Sequence, residues 1–456
     1  MTLRKKYLLC SVMIVLMLCM AQIRGSTVLI LACMALFLLL LGWCCVQNHT
    51  LPILLFFLPW SPMMRASPSS FSFFTIGLVL VCLISVVKKQ FRFRRYHIAV
   101  GIALTFMTLL SKLLDGSGIG FDYIAFIMLM VLFPVVKEEH TAQEYDFFQT
   151  LIFLSLGIII AALCAQRFAG YGGISRYITV HSYSTITRFC GFYGDPNFYT
   201  AQITAALGGG FYGVLKEVSK RRITVLGILL FLLLYCGFLS GSKSFVLVTA
   251  AIVVIWAVEL LRMHGKAGRK IVLIIAAVFV SIYIATSALF GGWIDILVTR
   301  FSFSSSLSSL TTHRTDLWRM YIEEILGNGK ILFVGNGFTN VKLNGRASHN
   351  TVLQAIFQFG ILGMPFLVAW IICFFREIPR RSRWQKKKGV TPWILLTGVF
   401  LPWMAIDILF FDELFLFLWY VFMAMKEMRL EADAKEENNI LQNGISQRRR
   451  LRLIWK

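Results

Sequence analysis

Long apolar runs alternate with short polar breaks along almost the whole chain. The runs lie at about 7–23, 27–46, 51–59, 71–87, 98–114, 121–136, 147–165, 198–215, 223–239, 245–261, 271–289, 351–375, 392–406 and 408–425. A hydrocarbon core of roughly 30 Å takes about 20 apolar residues in helical form. Lipid offers no partners to backbone N–H and C=O groups, so such runs are expected as helices. The fold predicted is an all-α polytopic membrane protein with about 12–14 transmembrane helices and a large extracytoplasmic loop carrying short helices. Two places depart from the regular pattern. LPILLFFLPWSP is too short to cross as a plain helix, and Pro59 and Pro62 predict a broken half-span. The turn between the last two runs is blurred by Asp407, Asp412 and Glu413.

Composition agrees with this pattern. The 456 residues are 58% hydrophobic and 15% charged, against about 25% charged in soluble domains. The formal net charge of +23 raises nucleic acid as a partner, but its placement argues against one. The basic clusters sit between apolar runs, as the positive-inside rule requires. With Lys5 inside and one crossing per run, KKQFRFRR (88–95) and RRSRWQKKK (380–388) both fall on the cytoplasmic side. Omitting the short run 51–59 would break that parity, so it counts as a crossing. Both termini are then cytoplasmic, and the loops at about 166–197 and 290–350 are outside. Arg4, Lys5 and Lys6 before an apolar run resemble a secretion signal, but no small-residue cleavage site follows. That run is read as a retained first helix. Of ten cysteines only Cys190 lies in a loop, and no CxxC spacing occurs. Residues 1–430 form a single polytopic membrane domain. The tail 431–456 is a basic cytoplasmic arm suited to anionic lipid.

The chemistry is confined to the two outside loops and one turn. Arg167, Arg176 and Arg188 lie in the shorter loop; Arg300, Arg314, Arg319 and Arg346 lie in the longer one. A guanidinium binds phosphate oxygens bidentately and keeps its charge in a low-dielectric site, so the set suggests an anionic ligand presented from the membrane. Solvated loop charge is the plain alternative. In TRFCGFYGDPNFYTAQ (187–202), Asp195 can cap a helix whose first turn holds Pro196. Asp195 and Asn197 are also site candidates. Arg188 stands upstream on a Gly-rich bend where nothing local requires a guanidinium, and it is the preferred phosphate ligand. At 240–244, SGSKS combines a helix start with Ser242, Ser244 and the Lys243 ammonium, either as an anion site or as a tight interhelical turn. His349 is followed by Asn350 and Thr351, which can cap the next helix without it. An imidazole titrates near neutral pH and can take a proton from a hydroxyl.

These pieces, taken in order, resemble the O-antigen ligase and O-antigen polymerase family of bacterial membrane glycosyltransferases. The matching residues are Arg188, Gly191, Asp195, Pro196 and Asn197, then SGSKSF at 240–245 and HRTDLW at 313–318. GNGF at 335–338 and SHNTVLQAIFQFGILG at 348–363 complete the series. Lys243 departs from the arginine more usual in that family. The resemblance implies an inverting, metal-independent transfer without a cofactor at the outer face of the bacterial cytoplasmic membrane. The donor would be a polyprenyl-pyrophosphate-linked glycan and the acceptor a glycan or lipid-linked hydroxyl. Membrane lipids surround the reaction, and a chain-length regulator is a further partner. On this reading His349 is the catalytic base, and Arg188, Arg314, Lys243 and Arg319 bind the pyrophosphate. Asp195, Asn197 and Asn350 are secondary candidates. The motifs do not separate a polymerase from a ligase; a polysaccharide locus commonly needs its own polymerase, which favours the former. A flippase or transporter is the competing class. Its usual midplane ionisable residues and repeated halves are not evident, since Lys112, Asp115, Glu259 and Asp407 lie near run ends.

Overall fold

A computed structural model describes residues 3–66, 72–88, 95–115, 121–139, 147–178, 180–183, 186–216, 219–265, 314–337, 343–375, 392–409 and 412–427. The expected span 271–289, the Ser-rich start of the long loop and the tail 431–456 lie outside the described residues.

The protein is an all-α membrane protein. Among the described residues six helices are long and apolar enough to cross a bilayer: α1 (Leu3–Arg24), α2 (Thr27–Val46), α7 (Phe147–Phe168), α9 (Lys220–Phe238), α10 (Lys243–His264) and α13 (Thr351–Phe375). Between them stand α3 (Thr50–Phe57), α4 (Phe73–Val87), α5 (Arg95–Asp115), α6 (Phe121–Glu139) and α8 (Pro196–Lys216). Later come the short helices α11 (Arg314–Gly327), α12 (Gly329–Phe333) and α14 (Trp393–Phe400), and α15 over 413–427. A hairpin, β1 (Val180–Tyr183) with β2 (Ile186–Phe189), pairs His181 with Arg188. Arg188 therefore sits on a strand rather than on the Gly-rich bend expected from sequence.

The broken run at 51–59 forms as its prolines require. α3 passes at Phe57 into a 3-10 turn, Leu58–Met63, and every residue from Thr50 to Trp60 is buried. Short elements of this kind survive because neighbours, not lipid, surround them. α8 packs closely on α14. A Cβ on Gly208 would meet Ile394 O at 3.0 Å, and one on Gly398 would meet Thr204 O at 2.4 Å. Small residues there let the two backbones touch, where packing rather than hydrophobicity drives helix association.

α13 is not one continuous rod. Gly360 has φ 62° and ψ 179°, which breaks the helix and frees carbonyls at its midpoint. The GNG turn after α12 fills the break: Asn336 N–H donates to Phe357 O at 2.8 Å and Gly337 N–H to Gln358 O at 3.0 Å. Ser111 Oγ, from α5, donates to Gly335 O at 2.9 Å. The fit excludes side chains on both partners. A Cβ on Gly335 would lie 2.1 Å from Gln358 O, and one on Gly360 2.3 Å from Phe333 O. Two of the sequence motifs, GNG and the FG of FQFG, are thus two halves of one lock.

Candidate active site

After α14 the chain makes a 3-10 turn, Leu401–Met404, and then an irregular stretch before α15. The turn packs against α8, α10 and α13, so it joins the elements that carry the sequence motifs. Two polar clusters lie on these elements.

The first is built on Asp407, 6% exposed. Its carboxylate accepts from His349 N–H at 2.9 Å, from Asn350 N–H at 3.0 Å and from the Ser348 hydroxyl. His349 has φ 49°, a left-handed conformation costing a non-glycine residue roughly 1–2 kcal/mol. Each hydrogen bond to a charged acceptor returns about 1.5–3 kcal/mol net, so the carboxylate more than offsets that strain. Thr351 Oγ1 donates to Ile406 O at 2.7 Å and accepts from Ile408 N–H at 3.2 Å, which fixes the same stretch from the other side. Asn350 caps α13, its Oδ1 accepting from Val352 and Leu353 N–H at 3.0 and 3.1 Å. The structure gives it a capping role. The imidazole itself is half-buried, and its Nδ1 is buried with no hydrogen-bond partner among the described residues.

α11 closes this cluster. Arg314 Nη1 donates to Ala405 O at 2.9 Å, two residues from Asp407. Trp318 Nε1 donates to Ser348 O at 3.1 Å, and Tyr321 OH donates to Arg346 O at 2.8 Å. Leu317, Tyr321 and Ile325 form the buried face of α11. Arg319 lies off that face, its side chain 81% exposed and 3.5 Å from Glu323. It is not drawn into the cluster with Arg314 and His349.

The second cluster joins the DPN and SGSKS motifs. Asp195 Oδ1 accepts from Asn197 N–H at 2.6 Å and from Asn197 Nδ2 at 2.7 Å, at the start of α8. Asn197 Oδ1 in turn accepts from Ser242 Oγ and Ser244 Oγ, both at 3.0 Å. Ser242 caps α10, whose first residue is the half-buried Lys243. The helix starts of α8 and α10 are thereby tied side by side, with their N–H ends facing one region. Two helix N-termini together with a lysine favour negative charge. Arg176, by contrast, is committed elsewhere: its guanidinium donates to Gln22 Oε1 at 3.0 Å on α1.

Asp407 is the site residue that hydropathy did not single out, because it lies 58 positions from His349 and within a stretch read as a turn. Its one sequence cue was an acidic residue between two apolar runs. No protein-family model matches the chain, and a search of curated proteins returns no match.

Proposed function

We propose that the chain is an inverting membrane glycosyltransferase: a polysaccharide polymerase acting at the outer face of a bacterial cytoplasmic membrane. It transfers a glycan from a polyprenyl-pyrophosphate carrier to the hydroxyl of an acceptor glycan. The observation that carries this reading is the meeting of His349 and Arg314 on residues 405–407. The Asp195–Asn197–Ser242–Ser244 node lies at the starts of α8 and α10, two helices against which the Leu401–Met404 turn packs.

The roles follow from charge and proton flow. The acceptor oxygen attacks the anomeric carbon from the face opposite the pyrophosphate, and its proton passes to the imidazole of His349. As the bond to pyrophosphate breaks, negative charge grows on the leaving group. Arg314 and Lys243, with Arg188 from the β-hairpin, supply the compensating charge, which counts for most where water is excluded. Asp407 acts through the backbone: it holds the His349 turn and is a positioning residue. A ligase, which moves a finished chain to lipid A core or another acceptor, would use the same donor chemistry.

Deleting the chain from its own cell separates these outcomes. A polymerase loses long glycans while single repeats are still transferred, and that result is expected. Finished chains stranded on the carrier would instead assign the ligase reaction. Unchanged glycan length and transfer would overturn both.

A further inference from the structure

A third polar cluster lies beneath the loop that leads into Asp195, and the reactions above do not use it. Tyr193, 8% exposed, points its hydroxyl at Leu58 O (2.9 Å), Glu413 Oε1 (2.9 Å) and Ser61 Oγ (3.1 Å). Leu58 and Ser61 belong to the 3-10 turn after α3, and Glu413, 4% exposed, opens α15. A phenol has one proton to give. Leu58 O can only accept, and so can Glu413 if it is ionised. With an ionised Glu413 one of those two contacts would press lone pair against lone pair at hydrogen-bond distance. A proton on Glu413 removes the conflict: the carboxylic acid donates to Tyr193, Tyr193 donates to Leu58 O, and Ser61 donates to the phenol.

We propose that Glu413 works as a neutral carboxylic acid, whose O–H donation to Tyr193 positions the loop carrying Asp195 and Asn197. The groups around it fit this state. Asp412 stands beside it as a second carboxyl, bonded by Thr75 Oγ1 of α4 at 2.7 Å. Arg65, beyond the 3-10 turn, faces Asp412, and Gln202 of α8 faces Tyr193. Arg65 acts on Asp412, and the neighbouring Asp412 carboxyl disfavours a second negative charge on Glu413. The loop effect on catalysis rests on the glycosyltransferase reading; the proton on Glu413 does not.

The test therefore has two arms on the full-length protein. In lipid nanodiscs, the infrared spectrum should show the carbonyl band of a protonated buried carboxylic acid. That band should vanish in E413Q and persist in D412N; its absence from the wild type would overturn the proposal whatever the activity. In cells, E413Q supplies a neutral donor and should keep glycan length near wild type, whereas E413A and Y193F should lower it about tenfold, the cost of losing a buried hydrogen bond. Wild-type output should fall as pH rises and Glu413 ionises, while E413Q stays flat over that range. E413Q as damaged as E413A would mean that the negative charge is needed, against the proposal. A band present with no variant altering glycan length would overturn the positioning role and leave the proton assignment standing, whereas the deletion test above decides the glycosyltransferase reading by itself.

Discussion

At His349, backbone and side chain answer to different partners. The backbone is held left-handed by the Asp407 carboxylate, whereas the imidazole Nδ1 stays without a hydrogen-bond partner among the described residues. The two functions can be separated by substitution. His349→Ala and His349→Gly should both lower glycan polymerisation about 10²–10⁴-fold, the usual worth of a general base, at normal protein level. Equal loss in both, although glycine relieves the strain, would show that the ring matters rather than the turn; wild-type chain lengths in either would remove the base assignment. Asp407→Asn keeps an acceptor oxygen but puts an amide against three donors. Rates about tenfold down are expected, from weakening one or two charge-assisted bonds. At Arg188 a lysine cannot reproduce a bidentate fork, so Arg188→Lys should be nearly as defective in polymerisation assays as Arg188→Ala.

At the level of elements, the motifs turn out to be joints. GNG and the FG of FQFG lock α12 into the break of α13, and DPN and SGSKS tie α8 to α10. Gly360→Ala should destabilise the protein by about 2–4 kcal/mol, since the new Cβ has neither a permitted φ nor free space. Thermal unfolding of the purified protein would measure it, and a wild-type midpoint would show that the break is not fixed. The apolar runs, the half-span at 51–59 and the caps at Asp195 and Asn350 were legible in the sequence because each depends on neighbours within a few residues. The exposed setting of Arg319 was not read from the sequence, which offered it as a pyrophosphate ligand: it lies off the face marked by Leu317, Tyr321 and Ile325. What could not be read were the pairings across distance. Nothing near Asp407 marks it as the acceptor for a turn 58 positions away, and nothing near Tyr193 points to Glu413.

For the molecule as a whole, the sequence-derived topology predicts opposite faces for two exposed positions. In intact cells a membrane-impermeant maleimide should label Asn328→Cys and spare Lys220→Cys, above the background of the native cysteines. The reverse pattern would move the His349 cluster to the cytoplasm, where it would face no lipid-linked donor of the kind proposed. Arginine and lysine, rather than a bound cation, are assigned to balance the leaving pyrophosphate. Polymerisation by the purified protein should therefore persist in excess chelator, and strict dependence on a divalent ion would point to another type of transferase. The opposite end of the bundle is closed by Lys216 Nζ on Glu427 Oε1 at 2.7 Å, while Glu427 Oε2 accepts from Phe147 N–H at 2.9 Å. One late carboxylate thus fastens α8 and the start of α7 to α15.

The stretch 405–407 holds Arg314, His349 and Thr351, yet the ribosome makes it only after every one of them. During synthesis the earlier helices can enter the bilayer with their loops unfastened, and the fastening waits for residues 405–407. A chain stopped by a nonsense codon near 390 should insert and accumulate yet transfer no sugar, and co-expressing residues 390–456 as a separate piece is the natural attempt at rescue.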